Sequence, residues 1–265
     1  MSELDNLGGK KVRQEAQHIE SASEDLFDRL AWWYTLCRER LLQDDTESIV
    51  QVLVSFGLEL NGACVLELGC GPGFYATRIA QRFRLLNVIG VDRSRKLVEH
   101  SKVRSRLLNL SNCRFRLGDV RAIPCASGSV EAVIASRLFL VLADRETVMK
   151  EVYRVLAPGG LFFIAEPLSQ RRAMIPMLVM RALAAVMRLR GLADKGDYGE
   201  SVEPRVMKPA EFNRLFQLHP WRRVVTWQTK HYQYSVGAKP GSGELSHHPR
   251  VVAIEPAGPP SRMSE

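Results

Sequence analysis

Glycines at three alternate positions, preceded by a carboxylate, form the stretch of this sequence best suited to chemistry: VLELGCGPG (65–73), with Glu67 ahead of Gly69, Gly71 and Gly73. An apolar run that ends in bare backbone and opens a helix lets a ligand approach the main chain. The first turn of that helix then offers N–H groups that have no intrahelical partner. Dinucleotide-binding loops share this plan with the spacing G-x-G-x-x-G, where the third glycine admits close helix packing and the pyrophosphate rests on the helix N-terminus. Here Phe74 stands at that third position, and Glu67 would repel a pyrophosphate. The same carboxylate suits the ammonium end of an amino-acid ligand, directly or through water.

Two further acids follow at the ends of the next two apolar runs. Asp92 closes LLNVIGVD (85–92) and is placed to accept from a ribose diol. Asp119 closes NCRFRLGD (112–119) and is placed to accept from an adenine amino group, with Val120 packing on the ring. Three acids at three consecutive strand ends define one site, because ligands of open α/β sheets bind beyond the carboxyl ends of the strands at the switch point. The signs favour a methionine-derived adenosyl cofactor over NAD or FAD.

The elements needed to position these residues are legible from the period of the apolar pattern. Short, nearly continuous apolar runs at 63–69, 85–92, 112–119, 129–136 and 160–167 read as strands buried on both faces. Helical periodicity lies between them, near 74–83, 94–109 and 145–156, the last capped by Asp144 and ending at Pro158-Gly159-Gly160. A helix at 47–56 precedes the first strand and another spans about 208–217. The segment 221–239 holds two strands with a turn near Lys230-His231. The predicted fold is α/β: a Rossmann-like, mostly parallel seven-stranded sheet flanked by helices, with an antiparallel terminal strand pair. The domain spans 23–239, preceded by a flexible polar arm (1–22) and opening on a helix from Ser23. A disordered Pro/Gly/Ser-rich tail (240–265) follows it.

Composition narrows the function classes. A hydrophobic share of 46% and a charged share of 25% argue against global disorder. No run reaches the roughly 20 apolar residues of a membrane helix, and the polar N-terminus has no signal-type apolar stretch. Cys37, Cys64, Cys70, Cys113 and Cys125 form no CxxC pair, so reduced thiols in a cytoplasmic protein and no metal site are expected. The net charge of +8 is spread over short groups such as Arg93/Arg95 and Arg222/Arg223. Solvated surface charge explains it, an anionic substrate is the alternative, and no specific nucleic-acid partner is predicted.

As a whole the motif set resembles the class I S-adenosylmethionine-dependent methyltransferases, near the group acting in quinone and biotin pathways. The resemblance rests on VLELGCGPG (65–73), GVDRS (90–94), GDVRAIP (118–124), EVYRVLAPGGLFFIAEP (151–167) and FDRLAWWY (27–34), and covers about 24–167. It implies that Gly69, Gly71 and Gly73 line the methionine portion, Asp92 binds the ribose, and Asp119 with Val120 holds the adenine. It further implies Ser136 near the sulfonium, Tyr34 over the methionine end and Arg93 stacked on the adenine. Thr35 departs from that group's usual acid. Arg137-Leu138-Phe139 stands where such proteins often carry an Asn and a His.

The implied reaction is methyl transfer from S-adenosylmethionine to a small biosynthetic acceptor. A general base helps when the acceptor is a hydroxyl or ammonium. Tyr75 and His231 are the candidates, with Tyr232 and Tyr234 behind them; a wall residue and a surface turn are the plainer readings. The segment 167–191 is rich in Met, Leu and Val, and its helix at 176–190 would be about 22 Å long, too short to cross a bilayer. It reads as a lid over a hydrophobic or amphipathic acceptor, against core packing, a dimer face or a peripheral contact with anionic lipid. An RNA or protein acceptor, a non-catalytic cofactor-binding module and a dehydrogenase are the rival readings. Phe74 and Glu67 speak against the dehydrogenase.

Overall fold

A computed structural model describes residues 43–56, 58, 62–170 and 205–243, together with the main chain of 251–254. The predicted arm (1–22), the helix that follows it with Tyr34, and the lid helix 176–190 lie outside the described residues. Helix α1 (Thr46–Ser55) leads into β1 (Cys64–Leu68), α2 (Phe74–Arg82), β2 (Asn87–Asp92), α3 (Arg95–Leu107), β3 (Cys113–Leu117) and β4 (Val130–Ser136). Then come α4 (Arg145–Val155), β5 (Leu156–Pro167), α5 (Pro209–Leu215), β6 (Arg223–Gln228), β7 (Tyr232–Ala238) and β8 (Val251–Ile254).

The strands form one sheet in the order β3-β2-β1-β4-β5-β7-β6-β8. Strands β1 to β5 run parallel to one another, β7 runs antiparallel to both β5 and β6, and β8 is parallel to β6. The seven predicted strands are all present. The eighth corrects the expectation for 240–265: within that tail, Val251–Ile254 pairs with Val224–Trp227 of β6. An edge strand leaves a row of unpaired N–H and C=O groups, and β8 satisfies it on one side of β6.

Alternation along each strand splits the core in two. Val65, Ala132, Ile134, Leu161 and Phe163 face one layer with Ile49 and Leu53 of α1 and Ala76 and Ile79 of α2. Their neighbours Leu66, Leu68, Val133, Phe162 and Ile164 face the other, with Val148 and Val152 of α4 and Phe212 of α5. Period-2 side-chain direction explains why these runs are apolar throughout: each residue is inside, on one face or the other. Glu67 shares the α2 face with Val65, which decides what its carboxylate meets.

Side-chain capping signals hold at two of the described helix starts. The Ser94 hydroxyl accepts the Leu97 N–H at the start of α3, and Asp144 accepts the Thr147 N–H at 3.0 Å at the start of α4, as its position predicts. The Pro158-Gly159-Gly160 stop behaves differently. Helix α4 ends at Val155 and β5 pairs at once, Leu156 with Val130. Residues 157–160 then bulge before Leu161 meets Ala132. Gly159 has φ +77 there, a conformation open to glycine.

Beyond β4 the chain makes a 3₁₀ turn, Phe139–Val141, held by Glu166 of β5. The Glu166 carboxylate is buried and accepts the N–H groups of Phe139 (2.8 Å) and Leu140 (3.2 Å). Burial pushes its carboxyl up from near 4.5 to about 7, against the pull of those N–H groups and of Arg137. Between those two values the folded chain keeps a proton that the unfolded chain has lost. Stability is therefore expected to fall as pH rises from 4.5 through 7, by up to about 3–4 kcal/mol at 1.36 kcal/mol per unit. Urea midpoints at pH 5 and pH 7.5 check this. Glu166→Gln should flatten the slope, and an unchanged slope in that variant would contradict the assignment.

Candidate functional site

The carboxyl ends of β1, β2, β3 and β4 meet at the point where strand order reverses, between β1 and β4. The glycine loop occupies it. Gly69, Gly71 and Gly73 all have positive φ, at 62°, 51° and 75°. A Cβ on Gly69 would lie 2.8 Å from Leu138 Cδ1, and one on Gly73 2.7 Å from Phe115 Cζ. Both glycines are thus required by backbone shape and by close packing together.

Asp92 ties this loop to its neighbour. One carboxylate oxygen accepts the Gly71 N–H at 2.8 Å and the other accepts the Ser94 N–H at 2.9 Å. Burial holds its carboxyl above the usual range, opposed by those two N–H groups and by Arg93. Each oxygen can accept more than one hydrogen bond, so the same group can serve the loop and a diol at once. Arg93 beside it is exposed.

Glu67 is buried, and its Oε2 accepts the Ala76 N–H at 2.7 Å. The carboxylate therefore supports the first turn of α2, a use that the motif alone did not suggest. Asp119 lies beyond β3, exposed, and forms a fork with the Arg121 guanidinium at 2.9 and 2.5 Å. That partner holds its carboxyl below the usual range. Val120 is buried beside it.

On the other side of the switch point a second, more polar assembly appears. Asp45, just before α1, is 2% exposed although a surface capping role is the obvious reading of its DDT context. It accepts from the hydroxyls of Tyr75 (2.9 Å), Tyr234 (3.0 Å) and Ser136 (3.4 Å) and from the Gln43 amide (3.2 Å). Arg137 joins from the end of β4, donating to the Tyr75 hydroxyl at 3.2 Å and the Tyr232 hydroxyl at 3.3 Å. Burial and then Asp45 keep the Tyr234 phenol well above its ordinary range, consistent with its hydroxyl donating to Asp45. The structure thus brings Tyr75 and Ser136 together. His231 lies in the β6–β7 turn, where its carbonyl accepts the Leu168 N–H at 2.9 Å.

A model of the methyltransferase domain family matches residues 65–160, the span from the glycine loop to the bulge in β5. The trans-aconitate 2-methyltransferase of Variovorax paradoxus is 30% identical over 181 residues, covering 63% of this chain and 67% of that protein. The chain belongs to the class I S-adenosylmethionine-dependent methyltransferases.

Two further likenesses frame this family assignment. The arsenite methyltransferase of Halobacterium salinarum is 32% identical over 113 residues, which are 42% of this chain and 29% of that protein. The chain thus spans less than a third of the length of that relative. A crystal structure of an S-adenosylmethionine-dependent methyltransferase from Aquifex aeolicus shares the fold, with a TM-score of 0.53, 21% identity and coverage of 76% of this chain and 92% of that one.

The chemistry of the donor set fits the family's cofactor. Glu67, Asp92 and Asp119 are acceptors beside main-chain N–H groups, and the Glu67 carboxylate at the start of α2 disfavours a pyrophosphate on that helix N-terminus. A ligand rich in hydrogen-bond donors and carrying positive charge is complementary to them. Among the described residues no helix is long and apolar enough to cross a membrane, and no cluster of His, Cys, Asp and Glu could hold a metal ion.

Tyr234 stands in the sequence reading behind Tyr75 and His231, whereas Asp45 and Gln43 are not marked as site residues by the sequence pattern. Their one signal in it is the polar pair Asp44-Asp45 ahead of α1, which reads equally well as a helix cap. Arg137 stands out only as a departure from the family pattern.

Proposed function

We propose that this methyltransferase moves the methyl group of S-adenosylmethionine to a small acceptor with a hydrophobic or amphipathic body. When bound, the cofactor's sulfonium supplies an electrophilic methyl group. The observation that carries the reading is the glycine loop pinned by Asp92 at the β1/β4 switch point. Asp92 would accept from the ribose, and Asp119 and Val120 would take the adenine with Arg93 on its face. Gly69, Gly71, Gly73 and Glu67 would border the methionine portion under Tyr34. Ser136 would stand near the reacting centre.

The chain's part in the reaction is to align the acceptor and keep water out, a contribution worth up to about 7–11 kcal/mol in favourable cases. Tyr75 would orient an acceptor through its hydroxyl, which already donates to Asp45. His231, one residue from Tyr232, is the candidate base if the acceptor carries a proton to be lost. An apolar acceptor is supported by the segment 174–189, where Met174, Met177, Met180 and Met187 accompany Leu178, Leu183 and Leu189. A small acceptor agrees with the Variovorax relative, whose name gives trans-aconitate as its substrate.

Calorimetric titration with S-adenosylhomocysteine, followed by transfer of labelled methyl into small-molecule extracts, tests this reading. Binding with label in a small product supports it. Binding of NAD(H) without S-adenosylhomocysteine would overturn it, and label appearing in RNA or protein would reassign the acceptor. Deleting 170–192 should stop transfer and spare cofactor affinity if that segment is a lid.

A further inference from the structure

Arg137 sits in an unusual state for a cation. Its guanidinium is largely enclosed, and its described contacts are all to neutral oxygens: the Gln43 carbonyl at 3.2 Å and the hydroxyls of Tyr75 and Tyr232. The Tyr232 ring lies 5.8 Å from its centre. Among the described residues no carboxylate pairs with it directly. Asp45 reaches it through the Tyr75 hydroxyl and through Gln43, its oxygens being shared with Tyr234, Ser136 and Gln43, and the buried Glu166 carboxylate acts on it from beyond ion-pair distance. A charge removed from water without a direct counterion is costly, and arginine does not discharge itself by losing a proton.

The backbone adds a second cost. Arg137 has φ +56, the left-handed region that side chains other than glycine and asparagine avoid, while its N–H donates to the Ala165 carbonyl at 2.8 Å. Strain of this kind persists where the surroundings over-determine it, and it concentrates at ligand clamps. Here it places an arginine at the end of β4, directly after Ser136.

We infer that Arg137, flanked by the hydroxyls of Tyr75 and Tyr232, receives a carboxylate of the methyl acceptor, so that the substrate class is an acid with an apolar body. This rests on the methyltransferase reading above. A guanidinium carries five donors in a planar fork that matches a carboxylate, and the two phenols can add donors or acceptors at its rim. Charge counting selects a carboxylate over a phosphate. Among the described residues, Arg137 is the cation of the polar assembly and the carboxyl groups of Asp45 and Glu166 are already within its field, so a second negative charge on the ligand would go without compensation. Position selects the acceptor over the cofactor's own carboxylate. The adenosine-side acids Asp92 and Asp119 follow β2 and β3, whereas Arg137 reaches toward Tyr232 on β7, at the opposite side of the switch point.

The experiment uses the full chain saturated with S-adenosylhomocysteine, titrated with octanoate, benzoate and cinnamate and with the carboxamide of each. Acids are expected to bind at least about ten-fold more tightly than their carboxamides, the range for a hydrogen-bonded charge. Arg137→Gln should erase the difference and Arg137→Lys should keep part of it. S-adenosylhomocysteine affinity should stay within about three-fold of wild type, with thermal unfolding used to confirm that both variants fold. Wild type that does not discriminate acid from carboxamide overturns the inference, as does discrimination that survives Arg137→Gln. A variant that loses S-adenosylhomocysteine affinity while keeping that for 5′-methylthioadenosine, which lacks the amino-acid portion, also overturns it and gives Arg137 to the cofactor. Failure of the wild type to bind S-adenosylhomocysteine at all would instead bring down the methyltransferase reading.

Discussion

Gly73→Ala is expected to lower the free energy of unfolding by about 2–5 kcal/mol and to abolish measurable cofactor binding. Two costs combine. An alanine at φ +75 takes on the left-handed penalty of roughly 1–2 kcal/mol. Its methyl group would also enter a filled space, 2.7 and 2.9 Å from Phe115 carbons and 2.9 Å from Ser101 Cβ, and overpacking of this kind costs about 1–3 kcal/mol. Phe115 belongs to β3 and Ser101 to α3, so the collision spreads away from the loop into the α2–α3 layer. Adding Phe115→Leu should recover the Phe115 share of the packing cost and leave the Ser101 contact and the backbone part. Urea unfolding of the two variants separates them, and a single variant as stable as wild type would contradict the close approach.

Asp92→Ala should weaken S-adenosylhomocysteine binding by about 3 kcal/mol, roughly 150-fold, the upper end for hydrogen bonds to a charged group. The carboxylate both offers acceptors to a ribose diol and holds the Gly71 and Ser94 N–H groups. Asp92→Asn distinguishes the two uses, because an amide keeps one acceptor oxygen and loses the charge. Calorimetry on both variants, each shown to be folded, provides the check. Affinity unchanged in Asp92→Ala would remove Asp92 from the cofactor site.

Much of the glycine-loop half of this site is legible in the linear order of residues. Glu67, the three glycines, Asp92 and Asp119 lie within or at the ends of short apolar runs, and a strand end followed by a glycine loop is written in consecutive residues. The sheet is legible for the same reason: residues buried on both faces leave few polar interruptions, as in VLEL and FFIA. What those runs cannot reveal is which partner each acid takes. Glu67 reads as a ligand for an ammonium group, yet its oxygen caps Ala76 of α2, since both lie on the same face of β1. Asp119 reads as an open acceptor, yet it meets Arg121 two residues on. The tail goes the other way. A Pro/Gly/Ser-rich composition suggests no structure, but four residues of it pair with the edge of β6, and edge pairing depends on main-chain groups that composition does not report.

The α/β architecture, the family and the acids at the ends of the first three strands are each encoded in spacings of a few residues, so the bare chain suffices to specify them. The polar half is a product of tertiary folding. Gln43 and Tyr234 stand 191 positions apart, and Arg137 lies 95 from Tyr232. They meet because the antiparallel β7 inserts between β5 and β6 and brings its tyrosines to the strand ends above α1 and α2. Contacts so distant in the chain leave no periodic trace in it. They follow from the order in which strands pair, and that order is set by how the whole core closes.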